Sequence, residues 1–495
     1  MNSMTMADIA ATAFRSTRML IGGDLVGARS GSTMPVECPG DGSIIAQVPA
    51  AGADDVGRAV AAASAALPGW RFTDLMARRQ AILDLAAAVR DNVDHIARLD
   101  AIDSGSPIRS MRRDVAGAIF YLEWVAGLAF SWGGHAPATT GTGIDLTLRE
   151  PFGVTARIVP FNHPFYFACK IATPLLTGNT VVLKLPDQTP LSGLWLAEQA
   201  AALFPAGVVN IVSGHGAIAG EALVRHPGVA RICFTGSVPT GRRIAQRAAE
   251  RFVPVSMELG GKNPLIICAD ADLQDAIRAA VAGMNYSTQG QSCGSYSRVL
   301  VHESVHDAAV EMLSAEIPRV RVGHPLAEES EMGALISESA RDRVEGHIGD
   351  AVSAGARIVT GGTRPDGPTL STGWYANPTL LDSVDMSMRV AREEIFGPVQ
   401  SVIRWSTEEE VIAAANATEF GLTANVHSRD IDRALHIARR VDSGAVSVNG
   451  DGTMHWPGAP FGGFKSSGVG KEDSLDEIVE STREKNLYIN LQTPR

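Results

Sequence analysis

A cysteine, a glutamate and an asparagine in separate parts of the chain offer the groups needed for covalent chemistry on a carbonyl carbon. Cys293 stands in "GQSCGS", where flanking glycines let the backbone approach a ligand closely. A nucleophilic thiol also needs a base and an oxyanion donor. Glu258 follows an apolar strand and precedes two glycines, so it is a candidate base, and Asn162, also after an apolar strand, is a candidate donor. The residues alone leave open a space-filling thiol, a surface glutamate and a turn or helix cap before Pro164.

Composition narrows the classes of partner and compartment. The net charge of −11 over 495 residues gives the chain no electrostatic reason to bind nucleic acid or an anionic membrane. No uninterrupted run of about 18 apolar residues predicts a membrane-spanning helix. The five cysteines are odd in number and contain no CxxC pair, which argues against a disulfide framework and for a reducing compartment. We therefore expect a cytoplasmic protein without nucleic-acid or membrane partners.

The order of elements predicts an α/β fold. Residues 54–130 have apolar side chains at helical spacing, whereas 131–152 end in an alternating stretch typical of an exposed strand or hairpin arm. From residue 153 to residue 261, short apolar strands alternate with helices, which is the pattern of a parallel, doubly wound sheet. A second α/β unit follows in 264–448, and the glycine-rich "LGGKN" at 259–263 is a plausible boundary.

One motif is expected to be a false zinc signature. The stretch "HESVH" at 302–306 has the spacing of a zinc protease, whose two histidines must share one helix face. Here His302 is expected to end a strand and Ser304 to cap the following helix, so that His302 and His306 lie in different elements. We expect no metal site.

Seven motifs resemble those of the aldehyde dehydrogenase superfamily, specifically its NAD(P)-dependent, non-acylating members, in the same order and at similar spacing. They are "VPFNHPF", "VVLKLPDQTP", "FTGSVPTG", "MELGGKNP", "GQSC", "EEIFGPV" and "PFGGFKSSGVGKE", and the resemblance extends from about residue 20 to about residue 490. It implies a Rossmann-type cofactor domain (1–130 and 153–258), an α/β catalytic domain (259–475) and a small β oligomerisation arm (131–152 and 476–495). Because an exposed strand invites pairing between subunits, we expect a homodimer or homotetramer.

The resemblance also implies catalytic roles and a reaction. Cys293 would attack a small-molecule aldehyde, Asn162 would hold the resulting oxyanion, and hydride transfer to a nicotinamide would leave a thioester. Glu258 would activate the water that hydrolyses this thioester to the carboxylic acid. Covalent addition must come first, because an aldehyde donates hydride only after it becomes tetrahedral.

The cofactor site is implied by three of the motifs, and no GxGxxG fingerprint follows the first strand of the α/β unit. Gly236, Ser237 and Gly241 resemble a pyrophosphate site at a helix start. Lys184 matches a residue that binds the adenosine ribose, and Asp187 matches an acidic residue that accepts from its 2′-hydroxyl. A carboxylate there would repel a 2′-phosphate, so we expect NAD, with NADP as the less favoured alternative. Aspartate is shorter than the more familiar glutamate, which weakens this preference.

The nicotinamide end and the substrate tunnel complete the predicted site. Glu394 and Phe396 resemble the pair that positions the nicotinamide ribose and ring, although Phe396 alone also fits a plain core residue. Phe161 and His163 stand where many relatives have tryptophan and phenylalanine. The tunnel candidates are partly aromatic and favour an apolar, aromatic or betaine-like aldehyde; they are Phe165, Tyr166, Tyr286, Ser287, His455 and Trp456.

Two alternative enzymes remain at this stage. A CoA-acylating dehydrogenase would transfer the acyl group to CoA, and it would not need Glu258 to activate water. A cofactor-free cysteine hydrolase would need a histidine base near Cys293, and no motif clearly supplies one.

Overall fold

Two large β-sheets determine where the candidate residues lie. The computed structural model describes residues 17–137, 143–452 and 457–491. The strands in chain order are β1 Met19–Ile21, β2 Asp24–Val26, β3 Thr33–Glu37, β4 Ile44–Pro49, β5 Gly143–Pro151, β6 Val154–Ile158, β7 Thr180–Lys184, β8 Val209–Val212, β9 Val229–Thr235, β10 Val255–Glu258, β11 Pro264–Ile267, β12 Arg298–His302, β13 Arg357–Thr360, β14 Thr379–Asp382, β15 Val399–Trp405, β16 Thr423–His427, β17 Ala445–Val448, β18 Gly468–Val469 and β19 Thr482–Asn490.

The helices include the predicted run before residue 130. In chain order they are α1 Ala53–Arg71, α2 Leu75–Arg90, α3 Val93–Ser104, α4 Ile108–Gly127, α5 Pro164–Ala168, α6 Ala172–Leu176, α7 Leu191–Leu203, α8 Glu221–Arg225, α9 Val238–Ala249, α10 Leu273–Ala282, α11 His306–Glu316, α12 Glu338–Ser353, α13 Arg389–Arg392, α14 Glu408–Asn416, α15 Ile431–Ala438 and α16 Leu475–Glu480. No helix in the described ranges is long and apolar enough to cross a membrane.

The first sheet has the order β18-β10-β9-β6-β7-β8-β1-β2. Its five inner strands, β10 to β8, are parallel, as predicted, and both edges are antiparallel. Strand β7 is buried throughout: Val181 and Leu183 pack in one core cluster, and Val182 packs in another. Burial on both faces explains its continuous apolar sequence.

The carboxyl ends of these parallel strands meet at one edge of the sheet and position the candidate residues. Glu258 and Lys184 are the last residues of β10 and β7, Asn162 follows β6, and Ser237 follows β9. In an open α/β sheet, this edge is where ligands bind. The register of the sheet therefore brings together side chains that are far apart in the chain.

The second sheet has the order β13-β14-β15-β12-β11-β16-β17 and is parallel except at β13. Leu265 and Ile267 of β11 pack into one core cluster and Ile266 packs into another, so this sheet is also buried on both faces. Residues 259–263 connect β10 of the first sheet directly to β11 of the second. The exact domain boundaries stay a prediction.

Strands β5 and β19 form a separate two-stranded ribbon. They pair antiparallel over their whole length, from Pro151 with Thr482 to Gly143 with Asn490. Strand β19 is exposed after its first residue, and Leu487, Tyr488 and Ile489 are among its exposed apolar side chains. The predicted alternating strand in 131–152 thus exists, and its partner comes from the opposite end of the chain.

The predicted helix cap at Ser304 is wrong. Ser304 lies in a short 3₁₀ turn (Glu303–Val305), the His302 side chain accepts a hydrogen bond from the Ser304 backbone N–H at 3.2 Å, and α11 begins at His306. The capping side chain is therefore that of His302, which caps the 3₁₀ turn, and not that of Ser304. The separation of the two histidines into different elements is confirmed, because His302 ends β12 and His306 starts a helix.

Candidate active site

Cys293 lies on the loop between α10 and β12. Hydrogen bonds and close backbone contacts fix the position of this loop. The side-chain amide of Asn263 donates to the Cys293 carbonyl at 2.7 Å and to the Ser295 carbonyl at 3.0 Å. A Cβ atom at Gly261 would lie 2.2 Å from the Cys293 carbonyl oxygen, so this approach requires glycine. Cys293 is partly exposed, whereas the other four cysteines are buried. The comparison among the cysteines therefore favours Cys293 as the reactive thiol.

Asn162 is brought to the same loop by a hydrogen bond between side chain and backbone. Its buried amide nitrogen donates to the Gln291 carbonyl at 2.8 Å. A primary amide carries two N–H bonds, so one is left over for a ligand. The structure thus places the predicted oxyanion donor beside the cysteine loop, although Asn162 and Cys293 are 131 positions apart and lie in loops that adjoin different sheets.

Glu258 is a buried carboxylate at the end of β10, only 4% exposed. Its Oε2 atom is buried and has no hydrogen-bond partner among the described residues. Burial, reinforced by the charge of Glu472, raises the pKa of Glu258 well above its usual value, against the opposing effect of Lys471. A carboxylate with a raised pKa is a stronger base than one in water, which suits proton abstraction near neutral pH.

The thiol and the carboxylates interact electrostatically. Burial raises the pKa of the Cys293 thiol well above its usual value, and the charges of Glu258 and Glu394 raise it further. The thiol therefore stays protonated near neutral pH until a base or a nearby positive charge changes the balance.

Glu394 and Phe396 lie against the cysteine loop. The Glu394 Oε1 atom accepts from the Gly261 N–H at 2.9 Å, and burial raises the Glu394 pKa to about 7 despite that hydrogen bond. Phe396 has a left-handed backbone (φ +56°) and packs edge-on against Phe161, with 5.8 Å between ring centroids. Both residues border a small cavity with Ser292 of the cysteine loop. A ring-shaped ligand next to Cys293 would contact this wall.

Lys184 and Asp187 form an ion pair at the carboxyl end of β7. Asp187 also accepts from the Gly216 N–H at 3.0 Å, and His215 lies 3.6 Å from the same oxygen. Burial lowers the Lys184 pKa, although the charge of Asp187 opposes this shift. The pair presents one acceptor and one donor, which suits vicinal hydroxyl groups.

The start of α9 supplies anion-binding groups at the carboxyl edge of the same sheet. Ser237 is the N-cap residue of α9, but its hydroxyl donates to Thr240 Oγ1 at 3.0 Å and does not cap the helix. The first backbone N–H groups are thus left for an anion. Gly241 differs from the prediction in one respect: its N–H is used within the helix, and a Cβ there would lie 2.7 Å from Leu259. Gly236 is similarly crowded by the ring of Phe234.

These groups fit a dinucleotide. The hydroxyl-binding pair and the uncapped helix N-terminus lie at the carboxyl edge of the first sheet, and Gly261, three residues after β10, joins that edge to Glu394 in the wall beside Cys293. Within the described ranges, no cluster of three or more His, Cys, Asp or Glu side chains could hold a metal ion.

The tunnel candidates are only partly supported. The prediction for Phe165 is wrong: this residue has no exposed surface and packs edge-on against Trp195 at 5.7 Å between ring centroids. Tyr286 is also in the core, with its hydroxyl donating to Gln400 at 3.4 Å. Tyr166 and Ser287 are half-buried. The remaining two candidates, His455 and Trp456, lie outside the described residues.

Sequence reasoning assigned no role to three polar residues around the site. Asn263 and Gln291 hold the cysteine loop and the Asn162 amide, as described above. His163 Nδ1 lies 2.6 Å from Asp114 Oδ2; burial lowers the pKa of His163, but the charge and hydrogen bond of Asp114 outweigh burial, so the net shift is upward. The position of His163 next to Asn162 was the one sequence feature that pointed to it. Its contact with Asp114 on α4 could not be predicted from the sequence.

Comparisons with known proteins identify the family of the chain. A family model described as the aldehyde dehydrogenase family matches residues 26–487. A hydroxyisobutyraldehyde dehydrogenase from Mycolicibacterium austroafricanum is 41% identical over 476 residues, covering 96% of this chain and 94% of the relative. A betaine aldehyde dehydrogenase from Staphylococcus aureus, solved in complex with NAD⁺, is 31% identical with a TM-score of 0.96 and covers 99% of both chains. An NAD⁺ complex of aldehyde dehydrogenase from Bacillus cereus is 34% identical, with a TM-score of 0.94 and 98% coverage of both chains.

The similarity covers nearly the whole chain and includes both sheets, which argues against the alternative of a cofactor-free cysteine hydrolase. The predicted fold class and enzyme class are confirmed. The chain therefore belongs to the aldehyde dehydrogenase family, whose members oxidise aldehydes to carboxylic acids with NAD(P) as the hydride acceptor.

Proposed function

We propose that Cys293, Asn162 and Glu258 carry out the oxidation of a small aldehyde to the free acid in this chain. The observation that carries the proposal is the 2.8 Å hydrogen bond from the Asn162 amide to the Gln291 carbonyl, two residues before Cys293. It joins an oxyanion donor to the loop of the nucleophile. The buried oxygen of Glu258, which has no hydrogen-bond partner in the described part of the chain, supports a proton-accepting role nearby.

In the first step, the Cys293 thiol gives its proton to a water molecule that carries it to solvent, and the thiolate sulfur bonds to the aldehyde carbon as the carbon–oxygen π electrons move to the oxygen. The carbonyl oxygen becomes an oxyanion, which the free N–H of Asn162 and the backbone N–H of Cys293 bind. Each such donor stabilises the transition state by about 3 kcal/mol. The tetrahedral adduct has the electron density that hydride loss requires.

A nicotinamide held at this site would supply the hydride acceptor, and loss of hydride from the former aldehyde carbon would leave a thioester on Cys293. Glu258 then takes a proton from a water molecule, whose oxygen attacks the thioester carbon. The C–S bond breaks, the Cys293 thiolate is released, and the carboxylic acid leaves. In this proposal Glu394 and Phe396 orient the cofactor from the wall next to Cys293.

At the other end of the site, Lys184 and Asp187 would hold the adenosine ribose, and Gly236, Ser237 and the start of α9 with Gly241 would hold the pyrophosphate. The Asp187 carboxylate accepts from a 2′-hydroxyl and repels a 2′-phosphate, which supports NAD over NADP. Its hydrogen bond from Gly216 holds the carboxylate in one orientation.

The test is NADH formation with a panel of hydroxylated, aromatic and betaine-like aldehydes, with product analysis in the presence and absence of CoA. The expected product is the free acid in both cases. An acyl-CoA product would refute the proposal and indicate a CoA-acylating dehydrogenase. The Cys293→Ala variant should bind NAD but form no NADH; NADH formation by this variant would remove Cys293 from the mechanism.

We also propose a homodimer or homotetramer assembled through the β5–β19 ribbon. The row of exposed apolar side chains on β19, which includes Leu487 and Tyr488, supports this assembly because such a row is costly to leave in water. A cytoplasmic location is proposed as well, and the five free cysteines support a reducing compartment. Sedimentation velocity of the purified protein tests the assembly, and cell fractionation tests the location.

A further inference from the structure

Gln291 has a side chain that is buried and bonded in two directions. It is 1% exposed, and its Oε1 atom accepts from the Ile336 backbone N–H at 3.0 Å. Its Nε2 atom donates to Gln289 Oε1 at 2.9 Å. The side chain thus fixes the cysteine loop to the segment before α12. A buried amide with both ends bonded costs free energy to move.

The backbone of the same residue holds the oxyanion donor. The Gln291 carbonyl accepts from the Asn162 amide nitrogen at 2.8 Å, and the Gln291 N–H donates to the Thr288 carbonyl at 2.8 Å. The carbonyl therefore selects which edge of the Asn162 amide faces it, since an amide turned over would bring two oxygens together. It also decides where the second N–H of Asn162 points.

These contacts form one chain of hydrogen bonds from Ile336 through Gln291 to Asn162. Cys293 follows two residues later on the same loop, so a shift of Gln291 would move the nucleophile and its oxyanion donor relative to each other. A misplacement of about 1 Å at a catalytic group can cost about 100-fold in rate.

We propose that Gln291 is a positioning residue for the Asn162 amide, which it aligns with Cys293 through its carbonyl while its side chain is anchored at Ile336. The inference rests on the proposed oxyanion role of Asn162. Gln291 itself does not contact the substrate in this proposal. Its effect is transmitted through Asn162 and disappears when the Asn162 amide is absent.

The experiment is a double-mutant cycle with Gln291→Met and Asn162→Ala. Methionine has a similar length but can neither accept from Ile336 nor donate to Gln289. In the otherwise unchanged enzyme, Gln291→Met should lower kcat/KM for the aldehyde about 30-fold, which is less than the roughly 100-fold expected for a displacement of about 1 Å or for a fully lost donor. In the Asn162→Ala background, it should lower kcat/KM by less than about threefold. The dissociation constant for NAD, measured by titration calorimetry, should be unchanged.

Gln400→Met is the matched control. Gln400 is another fully buried glutamine of the second sheet, and its amide donates to the Ala280 and Tyr296 carbonyls at 2.8 and 3.0 Å. Gln400→Met should lower the midpoint temperature of thermal unfolding. Its effect on kcat/KM should be the same whether residue 162 is asparagine or alanine. If Gln291→Met does not fold, Gln291→Asn enters the same cycle, because it remains an amide but is one methylene too short to reach Ile336.

Two results would overturn the inference while leaving the proposed function in place. One is an equal loss of kcat/KM for the Gln291 variant in both backgrounds, which would indicate a general structural role. The other is full activity of the Gln291 variant. Full activity of the Asn162→Ala enzyme alone would be different, because it would remove the proposed oxyanion donor and the inference together.

Discussion

Replacing Glu258 by glutamine removes the proposed base while the shape of the side chain is kept. Glu258 is 4% exposed and one of its oxygens has no partner among the described residues, so water is the group expected to meet that oxygen. Loss of a general base costs about 10²–10⁴-fold in rate, or roughly 3–5 kcal/mol at 1.36 kcal/mol per factor of ten. The raised pKa of Glu258 makes it a stronger base than a free carboxylate, which favours the upper half of that range.

The assay is stopped-flow absorbance of NADH under saturating aldehyde. The Glu258→Gln enzyme should release a burst of NADH close to one equivalent per subunit, because the thioester still forms, followed by a steady state at least about 100-fold slower than that of the parent enzyme. Acid quenching during the burst should trap the acyl group on Cys293. The Cys293→Ala enzyme is the control and should show neither phase.

The pH dependence gives an independent check of the same assignment. Glu258 must lose its proton to act as a base, so the hydrolytic rate should rise with pH through a pKa above the usual 4.5 of glutamate. This rising limb should vanish in Glu258→Gln. An unchanged steady-state rate, or a limb that persists in the variant, would refute the assignment of the base.

Three further predictions test the cofactor end, the His163 contact and the ribbon. Asp187→Ser should raise kcat/KM with NADP about tenfold, roughly 1.4 kcal/mol of relieved repulsion, in initial-rate assays with both cofactors, and an unchanged NADP:NAD ratio would contradict the role of Asp187. The raised pKa of His163 means that its ion pair with Asp114 is fully present below pH 6.5 and weakens as the pH rises through the folded-state pKa. Asp114→Asn should therefore lower the free energy of unfolding in urea by about 1–3 kcal/mol at pH 6 and by clearly less at pH 9. An equal cost at both pH values would argue against this charge pairing. Leu487→Lys on exposed strand β19 should shift sedimentation toward smaller species. Phe252→Lys is the control and should cause no shift, because that side chain is 94% exposed and far from the ribbon in sequence. An unchanged assembly for Leu487→Lys would point to another interface.

Much of the fold could be predicted because its central strands are buried on both faces. Continuous apolar runs such as that of β7 identify parallel strands, and the residues just after them, including Glu258 and Asn162, are then expected at one edge. The short antiparallel edges escaped prediction, because strands of two or three residues, such as β1 and β18, are too short to show a period.

The side-chain network of the site escaped prediction for a different reason. Which carbonyl receives the Asn162 amide depends on tertiary packing between segments far apart in the chain, and no local pattern around Gln291 encodes it. The same limit explains why the prediction for Phe165 was wrong. An aromatic residue beside a predicted site is equally consistent with a ligand contact and with the core, and Phe165 packs in the core.

Strand β18 makes the timing of synthesis matter for this protein. Strand β10, which ends in Glu258, is the penultimate strand of the first sheet, and its outer neighbour is the Gly468–Val469 pair. Roughly 200 residues must be added after β10 before that neighbour exists, which takes about 10–40 s at about 5–20 residues per second. Throughout this interval the growing chain carries an open edge whose unpaired N–H and C=O groups can recruit another strand. A ribosome that pauses within the second sheet would therefore prolong the exposure of the strand that carries the proposed base.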